Sequence, residues 1–209
     1  MGLVRLTERQ WRIYIAAWLT AVAAVGGVAA GLWLHGVVQR PAPPQLSGGM
    51  VVASGQIKAP DFTLHDQSGA VVSLSALRGQ VVALTFLDTK CTNLCPLQAR
   101  LLAGAQTDLG AKVRWSVVIV SVRPEADTPA TIAAFAAANG LARYRWLTGT
   151  HDQLAPVWNE YGVTVQPTAG DLEHSSVIYL IDGGGFERVG FLDVPETDAF
   201  ENDIRVLAG

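Results

Sequence analysis

The chain contains two cysteines, Cys91 and Cys95, and four histidines. The cysteines are separated by three residues at the point where an apolar run, QVVALTFLD (80–88), gives way to the helical spacing of LQARLLAGAQTDLG. The thiolate is both the metal ligand and the nucleophile, and a helix N-terminus lowers a thiol's pKa through its free N–H groups and dipole. Lys90 adds a positive charge beside them. At this spacing the two sulfurs can face each other across the turn into the helix, near enough for a disulfide or for one shared metal. The pair alone does not choose between a redox dithiol and a metal site. A plainer reading takes them as small buried hydrophobes, but two chance cysteines would rarely meet at one strand-to-helix junction of a chain with no others. They are also too few and too close in sequence to staple distant parts of a fold.

A third residue could join them. His174 lies in a polar segment, residues 164–175, which contains Pro167 and Gly170 and reads as a loop leading into SVIYLID. Such a loop can carry the imidazole to the same end of a sheet as the cysteines. Two thiolates and one imidazole form a soft set suited to Cu(I), whereas a structural zinc would usually take a fourth ligand. On spacing alone, a loop histidine is as readily a solvated surface residue. His35, His65 and His151 have that reading too, with no cysteine near them in sequence.

The elements that must position these residues alternate. FTLHD and AVVSL flank Gln67-Ser68-Gly69 as a β-hairpin, and 80–88 suits a strand buried on both faces. A helix is expected from about Cys95 with Pro96 in its first turn, then a buried strand in VRWSVVIVSV. Asp127-Thr128-Pro129 opens a helix to Ala138 that Asn139-Gly140 stops. YRWLTG is a short strand, Thr150 with Gln153 makes a capping box for a helix to about Tyr161, and SVIYLID turns through residues 183–185 into FERVGFLD. A last helix spans about 195–207. Strands alternating with helices predict an α/β fold with a largely parallel sheet covered on both faces, and ligands collect at the carboxyl ends of such strands.

Residues 13–34 carry no charge. At about 1.5 Å per residue they make roughly 33 Å of helix, enough to cross a bilayer core. Arg5, Arg9 and Arg12 precede this run and the next basic residue is Arg40, which places the N-terminus in the cytoplasm. A cleaved signal would have a shorter apolar region. The expected organisation is a cytoplasmic tail (1–12), a transmembrane helix (13–34), a linker (35–52) whose PAPPQLSGG cannot form a regular element, and one folded domain (53–209). Gly27 and Gly31 make a GxxxG pair, a weak sign of helix pairing. The four arginines among the first 40 residues stand against one acid, so the remainder is more acidic than the overall net charge of −3. Nucleic acid is a poor partner for such a domain, which shows no cluster of lysine and arginine.

These motifs together resemble the Sco/SenC family of copper proteins involved in cytochrome c oxidase assembly. CTNLCP is similar to that family's CxxxCP, DLEHSSVIYLID to its histidine-bearing segment and SVRPEADTP to its SVDPxxDTP, over most of the chain from Ala59 onward. The resemblance implies a thioredoxin-like fold, a central mixed sheet flanked by helices, after one N-terminal transmembrane helix. It also implies copper ligands at Cys91, Cys95 and His174, holding Cu(I) or alternatively Cu(II). The implied function is a metallochaperone, not an enzyme, that serves the copper A centre of cytochrome c oxidase. Its partners would be the copper-bearing oxidase subunit and other copper chaperones or thiol-disulfide reductants. The expected location is a bacterial inner membrane, with the domain in the periplasm.

The alternatives are a thiol-disulfide oxidoreductase using Cys91 and Cys95 as a redox pair on cysteines of an oxidase subunit, and a copper-responsive sensor. A peroxiredoxin fits less well, because Thr89 stands two residues before Cys91 and not three. The sequence also departs from the family's pattern. Asp88-Thr89-Lys90 stands where Tyr-Thr-His is common, Thr92-Asn93 where Pro-Asp is, Arg123 where the segment has aspartate, and Gly183 where a proline usually follows YLID.

Overall fold

The computed structural model describes residues 7–38, 45–168 and 171–209. Arg5, Arg40, Pro41–Pro44 of the expected linker and Gly170 lie outside them.

Two compact units are present, Met1–Pro43 and Pro44–Gly209. The first is helix α1, Glu8–Val38, which is longer than the uncharged run because Glu8, Arg9 and Arg12 join its first turns. Within it, Trp11–Gly31 is 21 residues with a mean hydropathy of 1.9, long and apolar enough to cross a membrane.

The second unit is built on a nine-stranded sheet. Its strands are β1 (Met50–Val51), β2 (Ile57–Lys58), β3 (Thr63–Asp66), β4 (Val71–Ser73), β5 (Val81–Leu87), β6 (Trp115–Ser121), β7 (Arg145–Thr148), β10 (Val177–Ile181) and β11 (Phe186–Leu192). Strands β8 (Val165–Thr168) and β9 (Asp171–His174) form a separate pair. The helices are α2 (Leu94–Leu109), α3 (Pro129–Ala138), α4 (His151–Glu160) and α5 (Thr197–Ala208). The sheet runs β1-β11-β10-β5-β6-β7-β3-β4, with β2 also on β11. β5, β6 and β7 are parallel, and β10, β11 and β3 run against their neighbours, so the sheet is mixed.

The apolar run that predicts β5 is buried at all seven positions. Because side chains alternate across a strand, Ala83 and Leu87 join α2, α3 and α5 on one face. Val82, Leu84 and Phe86 join α4 and the β3–β4 hairpin on the other. Each fully buried Leu or Phe contributes about 1.5–3 kcal/mol. The helix starts follow their caps: Thr128 and Thr131 close a capping box on α3, and Thr150 with Gln153 closes one on α4.

Two local readings change. Helix α2 begins at Leu94, one residue ahead of the expectation, because the Asn93 side chain accepts the Leu94 N–H and takes the N-cap. Pro96 still falls in the first turn, where no amide hydrogen is needed. Residues 164–175 are not a loop among the described residues. β8 and β9 pair antiparallel, with Val165 opposite His174 and Pro167 opposite Leu172. Pro167 is tolerated because a two-stranded ribbon has free edges.

The compact unit begins before the hairpin. Asp203 of α5, fully buried, accepts Ser47 N at 2.7 Å, Ser47 Oγ at 2.8 Å and Gly48 N at 2.9 Å. Gly48 is required by a close approach: a Cβ there would lie 2.0 Å from Val189 Cγ1. Residues 47–51, within the stretch read as linker, are thereby held against α5 and β11.

Candidate metal centre

The loop between β5 and α2 carries both cysteines at the carboxyl end of the parallel strands. Asp88, the residue after β5 and only 1% exposed, accepts two loop amides on Oδ1: Lys90 N at 2.6 Å and Cys91 N at 2.8 Å. Thr89 N donates to Asp127 Oδ1 at 2.8 Å, and Ser121 Oγ donates to Asp127 Oδ2 at 2.6 Å. Burial is the largest influence on Asp127 and raises its carboxyl, against the hydrogen bonds from Ser121 and Thr89.

Cys91 is half-buried, and Cys95, in the first turn of α2, is buried. The Cys95 N–H donates to Cys91 Sγ at 3.4 Å. In its thiol form Cys91 donates to Asn93 Oδ1 at 3.0 Å. The Cys91 thiol is pushed down to about 4, first by the hydrogen bond from Cys95, against burial, and then by the hydrogen bond with His174. The same Cys95–Cys91 hydrogen bond, together with burial, holds the Cys95 thiol well above its ordinary value. One proton is therefore kept on Cys95 while Cys91 carries the charge. Lys90, expected to assist through its side chain, is exposed and contributes its backbone N–H to the Asp88 contact.

His174 ends β9. Its Nε2 lies 3.6 Å from Cys95 Sγ, and Nδ1 lies 3.0 Å from Ser175 O. A carbonyl only accepts, so Nδ1 carries a proton and Nε2 faces the sulfurs. Burial pulls this imidazole's pKa down, but hydrogen bonds to Cys91 and Ser175 and the charge on Asp88 outweigh it, and the net shift is upward. Ser175 N donates to Thr164 O and Thr164 N to Ser175 Oγ, both at 3.0 Å, closing the base of the hairpin below the histidine.

The ligand atoms of Cys91, Cys95 and His174 all lie within 4.8 Å of one another. Three ligands around one ion at bond lengths of about 2.0–2.3 Å sit roughly 4 Å apart, so this set fits a three-coordinate metal with small adjustments. Cys91 and His174 line an open cleft of about 350 Å³ with Thr92, Asn93, Leu94, Leu172, Glu173 and Ser176. His151, read from the sequence as a plain surface residue, packs edge-on against Trp158 of α4. His65 pairs with Thr148 in the sheet.

Two residues that sequence reasoning did not single out support the site, one tying the cysteine helix to the segment after His174 and the other holding the cysteine loop. Gln98, in α2 and 1% exposed, donates to Ser176 Oγ at 2.8 Å and to Asp193 O at 3.2 Å, and its Oε1 accepts Thr85 Oγ1 at 3.1 Å. Asp88 figured in the sequence only as a departure from a motif.

A thioredoxin-like domain with a dithiol at the strand-to-helix junction and an imidazole brought alongside defines a class that works through thiolate chemistry, as a soft-metal binder or a redox pair. The chain belongs to the SCO1/SenC family, whose sequence profile matches residues 52–206. It is 28% identical over 133 residues to an SCO2-like protein of Rickettsia conorii, covering 60% of this chain and 64% of that protein. With the mitochondrial SCO2 homolog of Bos taurus it shares 29% over 176 residues, covering 80% and 66%. The chain thus spans slightly less than two thirds of these relatives. Copper-bound ScoI of Bradyrhizobium japonicum superimposes with a TM-score of 0.60 at 28% identity, covering 73% of this chain and 99% of that one.

Proposed function

We propose that this protein is a membrane-anchored copper metallochaperone. It takes one copper ion, as Cu(I), on Cys91 Sγ, Cys95 Sγ and His174 Nε2, and passes it to the copper-bearing subunit of cytochrome c oxidase for the copper A centre. The observation that carries this reading is the convergence of those three ligand atoms within 4.8 Å, from two segments far apart in sequence. Membership of the SCO1/SenC family and the copper-bound relative support it.

The chain's own groups suit a cargo that must leave again. Cys91 supplies a thiolate near neutral pH, Cys95 gives up its proton on binding, and the Ser175 carbonyl fixes the imidazole so that Nε2 is free to ligate. The half-exposed Cys91 leaves one side open to an incoming acceptor. In this reading α1 holds the domain on the periplasmic face of a bacterial inner membrane, with the N-terminus in the cytoplasm. The test is copper stoichiometry with X-ray absorption on reduced, Cu(I)-loaded protein. One copper per chain with two sulfurs and one nitrogen is expected, and the nitrogen is lost in His174→Ala. The absence of stoichiometric copper in the wild type defeats the proposal.

A second reading, a thiol-disulfide oxidoreductase acting on an oxidase subunit, draws on the asymmetry of the pair. Cys91 is a charged nucleophile and Cys95 holds the proton. Substantial insulin reduction that is unchanged in His174→Ala favours this reading over the first.

A further inference from the structure

Two departures from the family's motifs meet in the fold. Asp88 stands where an aromatic residue is usual and Arg123 where an aspartate is usual, and Arg123 Nε lies 3.5 Å from Asp88 Oδ2, with side chains 14% and 1% exposed. Asp88 Oδ1 fixes the amides of Lys90 and Cys91, and Asp127 fixes that of Thr89. Ser121 Oγ accepts Arg123 N at 3.2 Å while donating to Asp127, so the arginine's backbone is tied to the same network. Successive N–H groups leading to the first cysteine are therefore held by two buried carboxylates, with Arg123 as a cation packed beside them. A carboxylate this deeply buried is costly unless it is paired and hydrogen-bonded.

We propose that Arg123 is a positioning residue for the cysteine loop. By pairing with Asp88 it secures the carboxylate that fixes the backbone of Lys90 and Cys91, and so sets Cys91 Sγ against Cys95 Sγ and His174 Nε2. The identity of the ligand, copper, rests on the reading given above; the contact between arginine, aspartate and loop does not.

The test uses the full chain in detergent micelles, as wild type, Arg123→Gln, Asp88→Asn and the double variant. Two quantities are read: Cu(I) affinity by competition with a chromophoric chelator, and the rate at which iodoacetamide alkylates Cys91 in the reduced, metal-free protein. Arg123→Gln leaves Asp88 without this cation, and affinity is expected to fall by about 10- to 100-fold, as for other groups that orient metal ligands, with a changed alkylation rate. Asp88→Asn keeps an oxygen acceptor for the loop amides and removes the charge. Adding it to Arg123→Gln is therefore expected to bring both readouts back to within about threefold of Asp88→Asn alone.

The proposal is overturned if Arg123→Gln matches wild type in both readouts, or if the double variant is more impaired than Asp88→Asn alone. If Arg123→Gln does not fold, the double variant is compared with Asp88→Asn. Equal values support the proposal, and a further loss shows that Arg123 acts other than through Asp88 and overturns it. Failure of the wild type to bind copper defeats the copper reading alone, because the alkylation series still decides the role of Arg123.

Discussion

The backbone N–H of Cys95 points at Cys91 Sγ across 3.4 Å, so the first sulfur rests on the opening turn of the helix that carries the second. That contact, and the proton kept on Cys95, make Cys91 the charged member of the pair.

Reactivity should report this directly. With Cys91 pushed down to about 4, its thiolate is fully formed well below neutral pH, and lowering the pH removes it only on approach to that value. Alkylation of Cys91, followed by mass spectrometry, is expected to be nearly flat between about pH 6 and 8, where an unperturbed thiol gains about tenfold per unit. Cys95→Ser replaces the thiol that helps hold the charge, and the profile should then regain a slope. A wild-type rate that climbs tenfold per unit over that range contradicts the assignment.

Gln98 touches Thr85 of β5, Ser176 after His174 and Asp193 just after β11 at once. Gln98→Leu fills similar volume but leaves Ser176 Oγ and the Asp193 carbonyl short of a partner, while Thr85 keeps the Val177 carbonyl. We expect a stability loss of about 1–3 kcal/mol in thermal or urea unfolding. If copper binds as proposed, the nitrogen ligand should weaken more than the two sulfurs in X-ray absorption.

Asp203 offers a test away from the centre. Asp203→Ala strands the amides of Ser47 and Gly48, and a loss of about 2–4 kcal/mol is expected because the acceptor is charged and buried. Proteolysis between residues 45 and 52 should quicken at the same time. Unchanged cleavage there means that α5 does not hold this segment.

How much of this is legible in the sequence depends on how local each cause is. The β5 run, the Thr150–Gln153 box and the Asp127-Thr128-Pro129 start carry their signal within a few residues, and the structure forms them as read. The cysteine pair is local too. The β8–β9 ribbon escaped because Pro167 and the polar residues around it mask an alternation that runs through Val163 and Val165 on one side and Leu172 and His174 on the other. Asp88, Gln98 and Asp203 were invisible as functional residues for a different reason. Gln98 and Asp203 take their roles from partners far along the chain, 156 positions away for Asp203 and Ser47, and Asp88, whose loop amides are two and three residues on, from its burial beside Arg123; a lone acid or amide in sequence does not say what it will meet.

In the proposed topology, the side of the membrane on which the domain sits can be read with the chain's own chemistry. Its two cysteines both belong to the compact unit that follows α1, so no engineered label is needed. Cys91 is partly exposed and ionised, and a membrane-impermeant maleimide should reach it only from the side where the domain lies. In spheroplasts of a bacterial host the reagent is expected to label Cys91 without lysis, and inverted vesicles should be labelled only after detergent. The positive-inside rule supplies a second arm. Replacing Arg5, Arg9 and Arg12 with glutamate removes the charges that, in the proposed topology, keep the N-terminus in the cytoplasm, and the labelled fraction in intact spheroplasts should fall. Labelling confined to inverted vesicles in the wild type would place the domain in the cytoplasm, where the proposed delivery to an oxidase copper site across the membrane could not occur.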